Sequence, residues 1–202
     1  MRTLVLVRHA QSVHHVQGRI GGWSDTALSA LGCQQAQRLA ACLADAYGNV
    51  SCRLASSDLE RAVQTAEAIG QALGVAPVSM PELRSCACGI ADGMLAGTAR
   101  QHSIQPTEPL PDWTPYPGAE TWRHVHARVI PCVERLIQEG DDLVIVVSHK
   151  IPIHLTLCWW LGLPLDNKAQ AWFDIDPASL TTLRVEPWGG HTVVRVNDIA
   201  HL

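Results

Sequence analysis

The chain has 202 residues, 47% of them hydrophobic and 17% charged, and a formal net charge of −4. That length and apolar content suit one domain with a sizeable core and exclude a disordered chain. No Lys/Arg-rich run points to a nucleic acid or a membrane surface, and no apolar stretch approaches the ~20 residues of a membrane span. The opening apolar run is short and interrupted by Arg8, so it does not read as a secretion signal. Seven cysteines, an odd number, read as reduced thiols. The expected location is the cytoplasm.

In chain order, Thr3–Val7 is a compact apolar run that predicts a buried strand ending at Arg8-His9. Leu31, Ala36, Leu39, Ala40 and Leu43 recur at helical spacing, with Ser29 as N-cap and Gly48 after the end. Residues 53–55 predict a short strand, followed by a helix from about Asp58 to Leu73 that Gly74 stops. Residues 75–78 predict a weaker strand. Residues 85–118 are rich in Gly and Pro and lack periodicity, which predicts a loop or lid insertion. Residues 120–138 predict a helix that Pro131 kinks or interrupts. Leu143–Val147 is the strongest strand signal, and 152–161 predicts a short apolar helix. Residues 171–174, 180–185 and 192–196 complete the strand candidates.

Strands alternating with helices predict a single α/β domain over 1–202, a three-layer α/β/α sandwich with a mostly parallel central sheet. Ligands of such sheets bind beyond the carboxyl ends of the strands. His9 follows the first strand, His149 follows the strand at 143–147, and Arg61 lies in the first turn of the helix after the second strand. One sheet edge therefore receives two histidines and, with Arg8, two arginines. A neutral imidazole attacks phosphorus, and neighbouring cations keep it neutral. Guanidinium forks match phosphoryl oxygens, and phosphoryl transfer needs mainly positioning and charge stabilisation. The set calls for no metal and no cofactor.

Arg8-His9-Ala10-Gln11-Ser12 resembles the R-H-G signature of the histidine phosphatase superfamily, in its phosphoglycerate-mutase-like branch. The likeness continues through Gly18-Arg19-Ile20 to Gly22-Trp23 and Asp25, through Ser56-Ser57-Asp58-Leu59-Glu60-Arg61, through Pro117-Gly118-Ala119-Glu120-Thr121, and through Val147-Ser148-His149. It implies a phosphoglycerate-mutase-like fold, a phosphohistidine at His9, phosphate binding by Arg8 and Arg61, and stabilisation of the transferring group by His149. Relatives of this kind are often homodimers. The family usually has Gly at Ala10, Asn at His15 and often Gly at Lys150. Its proton-donating Glu falls on Ser85 in Leu83-Arg84-Ser85.

That last substitution matters, because a general acid contributes ~10²–10⁴ in rate. Asp92, in the family's following acidic position, is the favoured replacement, with Glu82, Glu108 and His15 behind it. Ser12, His15, Gly22, Ser85 and Lys150 complete the expected phosphate- and substrate-binding set. The expected activity is metal-independent hydrolysis of a small phosphate ester. The alternatives are a mutase and a catalytically weak phosphate-binding protein. His14-His15 and Cys86-x-Cys88 lack the spacing of a metal site. His124 and His126 do not share a helix face. Trp113 and Tyr116 are candidates for the lining of a substrate pocket.

Overall fold

The first apolar run forms the centre of the sheet. A computed structural model describes residues 2–139, 142–166 and 171–202. Along the chain run β1 (Arg2–Arg8), α1 (Val13–Val16), α2 (Ala30–Tyr47), β2 (Cys52–Ser56), α3 (Glu60–Leu73), β3 (Val78–Ser79), α4 (Ala96–Ala99), α5 (Trp122–Gln138), β4 (Leu143–Ser148), α6 (Lys150–Trp160), β5 (Leu180–Val185) and β6 (His191–Asp198), with four short 3-10 turns between β3 and α5.

The sheet order is β3-β2-β4-β1-β5-β6. The first four strands are parallel, and β5 and β6 join antiparallel at one side. Register places Leu4 opposite Val144 and Leu6 opposite Val146. These side chains face α5 and α6 and pack with Val129, Val133, Leu155 and Leu157. The alternate set, Val5, Val7, Ile145 and Val147, faces α2 and α3 and packs with Leu39, Leu43, Ala62 and Ile69. This two-residue alternation is why β1 and β4 read as unbroken apolar runs: both faces are covered. The three layers follow, and the sheet is mixed.

Several boundaries differ from expectation for local reasons. Pro131 does not interrupt α5, which runs through it. Pro131 lies on the exposed face, so its ring meets solvent and not the core. The strand expected at 75–78 is reduced to Val78–Ser79, because the Val75 N–H still donates to the Gly70 carbonyl as the helix exits. Residues 171–174 form no strand. Side chains hold that segment instead: Trp172 stacks on Trp122 and His154, and Asp174 pairs with Lys150.

The 85–118 insertion contains α4 and 3-10 turns. Its first half is stitched to the loop after α1: Ile20 N–H donates to Met94 O, Gly93 N–H to Ile20 O, and Ala96 N–H to Gly18 O. In its second half the Trp113 indole N–H donates to the Ile104 carbonyl, so this ring ties the insertion to itself. No helix among the described residues is long and apolar enough to cross a membrane.

Candidate active site

His9 leaves β1 at the carboxyl edge of the sheet and is only 3% exposed. Its Nδ1 lies 2.8 Å from the Ala10 carbonyl oxygen, and Arg61 Nε lies 3.3 Å from its Nε2. A carbonyl only accepts and a guanidinium only donates, which fixes the tautomer: Nδ1 carries the proton and Nε2 keeps its lone pair. Burial, then His149, Arg61 and Arg8, hold His9 well below the usual histidine range. The imidazole is therefore a neutral base with its free nitrogen beside a cation.

Arg61 projects from the first turn of α3 and is 1% exposed. Its two terminal nitrogens donate to the Ser24 and Gly22 carbonyls at 2.9 and 2.8 Å. Arg8, at the end of β1, donates to the Ile175 carbonyl at 2.5 Å and lies 3.0 Å from His15 Nε2. Burial lowers both guanidinium pKa values to about 10, which leaves them charged at neutral pH. Among the described residues no carboxylate hydrogen-bonds either one. A pair of cations held by carbonyl oxygens and imidazole nitrogens keeps its charge for an incoming anion.

His149 caps α6 at the end of β4 and is 2% exposed. Its ring meets that of His9 edge-on at 4.9 Å between centroids, and its Nε2 lies 2.9 Å from Ser57 Oγ. Burial, then Arg61 and Arg8, depress its pKa as well. His149 Nδ1 and Arg8 Nε are buried without a hydrogen-bond partner among the described residues.

The structure brings His9, Arg8, Arg61 and His149 together, with His15 and Ser12 beside them. The His15 ring lies nearly parallel to His9 at 5.6 Å, and Ser12 bonds both His14 and His15. Gly22 contributes through its carbonyl. It adopts φ +44°, and a Cβ there would fall 1.6 Å from Asp92 Oδ1. Asp92 Oδ1 accepts from the Trp23 and Cys88 N–H groups at 3.1 and 3.0 Å, and burial raises its pKa. Glu82 lies elsewhere, with its carboxylate 3.7 Å from Arg135 on α5. The Ser85 carbonyl accepts from the Trp23 indole and from Arg128, both at 2.7 Å. Lys150 pairs with Asp174 at 3.0 Å.

Sequence reasoning missed the short helix α1, although Ser12 with His15 three residues later forms a capping box. It also missed Ser57, which bonds His149, and Thr65, whose hydroxyl accepts from the Ala10 N–H. Arg128 was missed too: it donates to the carbonyls of Glu82, Arg84 and Ser85 and pairs with Glu120.

The sequence profile of the histidine phosphatase superfamily (branch 1) matches residues 4–199. The chain belongs to this family. It is 33% identical over 179 residues to a glucosyl-3-phosphoglycerate phosphatase of Mycolicibacterium vanbaalenii, a match that covers 83% of this chain and 77% of that one. It is 28% identical to a probable phosphoglycerate mutase of Proteus mirabilis, over all of this chain and 95% of that one. Among solved structures, a mycobacterial glucosyl-3-phosphoglycerate phosphatase in complex with inorganic phosphate superposes with a TM-score of 0.79 at 27% identity, covering 100% of both chains.

Proposed function

We propose that the protein is a phosphatase of small phosphorylated molecules that transfers the phosphoryl group to His9 Nε2 and then to water, without a metal. One observation carries this reading: the tautomer of His9, fixed by Ala10 and Arg61, presents a lone pair beside the Arg61 guanidinium, within the field of Arg8. Arg8, Arg61 and His149 hold the phosphoryl oxygens. Their charge matches what builds up as the group transfers, and the water-poor pocket strengthens each contact. His15, Ser12 and Gly22 belong to the same binding set. Ser85 and Lys150 complete the proposed substrate-binding set.

Of the carboxylates expected as proton donors, Asp92 feels the charge of Arg61, whereas Glu82 faces Arg135. Similarity to a glucosyl-3-phosphoglycerate phosphatase supports hydrolysis of a phosphate ester on a small polar molecule. Similarity to a probable phosphoglycerate mutase favours a second reading, in which the phosphoryl group returns to another hydroxyl of the substrate. A cytoplasmic location suits thiols such as Cys86 and Cys88, which burial pushes up to about 12 and keeps protonated.

Release of inorganic phosphate from an aryl and an alkyl phosphate, in chelator, tests the proposal. Release should occur and should vanish in His9→Ala. Phosphate retained on an isomerised substrate supports the mutase, and release that survives His9→Ala contradicts both readings.

A further inference from the structure

The family's carboxylate acid is a serine here, and the residue in the family's asparagine position is His15. His15 sits in a hydrogen-bonded chain. Its Nδ1 lies 3.1 Å from the Ser12 backbone N and 3.1 Å from Ser12 Oγ. Ser12 Oγ lies 2.8 Å from His14 Nδ1, which is 3.1 Å from Thr26 Oγ1. Ser12 is fully buried and His14 nearly so. Gly21 lets the far side of the His14 ring rest on the backbone, since a Cβ there would stand 2.7 Å from Nε2.

The Ser12 N–H at Nδ1 and Arg8 Nη2 at Nε2 both only donate, and a neutral imidazole accepts at one nitrogen. Arg8 is the charged donor and the shorter contact, so Nε2 accepts and Nδ1 carries the proton toward Ser12 Oγ. A phosphoryl group clamped by Arg8 takes up that donor and leaves Nε2 open to a proton. When Nε2 gains one, the Nδ1 proton stays on Ser12 Oγ.

We propose that His15 carries the proton to and from the leaving oxygen, and that Ser12 and His14 position it. This rests on the phosphatase reading. In the first half-reaction the His9 Nε2 lone pair forms the N–P bond, and the P–O bond breaks with its electron pair on the leaving oxygen. That oxygen takes the Nε2 proton of the His15 imidazolium, leaving the other proton on Nδ1 toward Ser12 Oγ. In the second half-reaction a water oxygen bonds phosphorus, the N–P pair returns to His9, and one water proton passes to His15 Nε2. The initial proton enters with the substrate as its monoanion.

The groups facing His15 are Arg8 and the His9 ring from the end of β1, Arg61 from α3, and His14 from its own helix; among the described residues no carboxylate hydrogen-bonds it. In the free protein burial, then Arg8 and Arg61, hold His15 at about 4. Burial, then His15, Arg61 and Arg8, hold His14 at about 3. A phosphate dianion between the guanidiniums offsets both arginine fields, so protonation of His15 is coupled to occupancy of the site.

Two measurements test the proposal. Nitrogen-15 NMR of the imidazoles, with saturating inorganic phosphate at about pH 6, should show His15 as imidazolium, and neutral without phosphate; a neutral His15 in the phosphate-bound protein overturns the proposal. In kinetics, His15→Asn should lower alkyl phosphate turnover by ~10²-fold and aryl phosphate turnover by less than about tenfold, since only the alkoxide needs the proton. His14→Gln should shift the pH profile of alkyl ester hydrolysis. An equal loss on both esters in His15→Asn, with His9-dependent release intact, removes the proton role and leaves the phosphatase reading standing. No His9-dependent release by the unaltered protein overturns both.

Discussion

Arg61 shows how one side chain does several jobs at the site. It is buried, no carboxylate among the described residues hydrogen-bonds it, and three of its nitrogens meet His9 Nε2 and the Ser24 and Gly22 carbonyls. A lysine keeps the charge but has neither the planar fork nor the reach to span these partners. Arg61→Lys should lower kcat/KM by ~10²–10³ while the thermal midpoint stays close to that of the parent. A loss below tenfold contradicts the role given to its geometry. The Arg8, His9, Arg61 and His149 quartet was legible in the sequence because each follows or opens an element at one sheet edge. The Ala10, Gly22 and Ser24 carbonyls that orient them were not, since every residue carries a carbonyl and only the fold decides where it points. Ser57 was hidden for a related reason: its hydroxyl meets His149 through a contact between β2 and β4 that no local pattern encodes.

At the scale of elements, the site depends on the loop between α1 and α2 being pinned by the insertion. Gly22 lies at this junction. Its carbonyl holds Arg61, its φ is +44°, and any Cβ would overlap the Asp92 carboxylate that caps Trp23 and Cys88. Gly18 has a similar φ of +62° but nothing within 4 Å of a built Cβ. Gly18→Ala should therefore cost only the backbone strain, about 1 kcal/mol. Gly22→Ala should cost more in stability and also lower kcat/KM, because Asp92 or the loop must move. Urea melts and steady-state kinetics of the two variants check this, and equal behaviour contradicts it. Strand and helix order was readable because β1 and β4 are unbroken apolar runs and α2 and α3 repeat their buried residues at helical spacing. The segment at 171–174 was misread as a strand because its aromatic residues suit a sheet, whereas here Trp172 packs on Trp122 and His154. The break expected at Pro131 does not occur, because Val129, Ile130, Cys132 and Val133 on both sides of it are held in the core.

Across the whole molecule, the gathering of neutral histidines sets a pH dependence of stability. His9 and His149 fall well below the usual 6.5, and His15 and His14 to about 4 and about 3. Once unfolded, all four titrate near 6.5, so below that pH the unfolded chain binds more protons than the native one. Stability should therefore fall as pH drops from about 7 toward about 4, by up to ~1.4 kcal/mol per pH unit for each fully buried histidine. Urea melts at about pH 7 and about pH 5 measure this, and a flat profile contradicts the neutral-histidine description. The low native pKa values also keep the nucleophile unprotonated before an anion arrives, so the acid sensitivity and the chemistry share one cause. The most direct test of the account is to quench the protein during turnover of a phosphate ester and locate the phosphoryl group by mass spectrometry. The account predicts an acid-labile phosphoryl group on the His9 imidazole, absent in His9→Ala; turnover that proceeds with no label on His9, or with the label on another side chain, contradicts it.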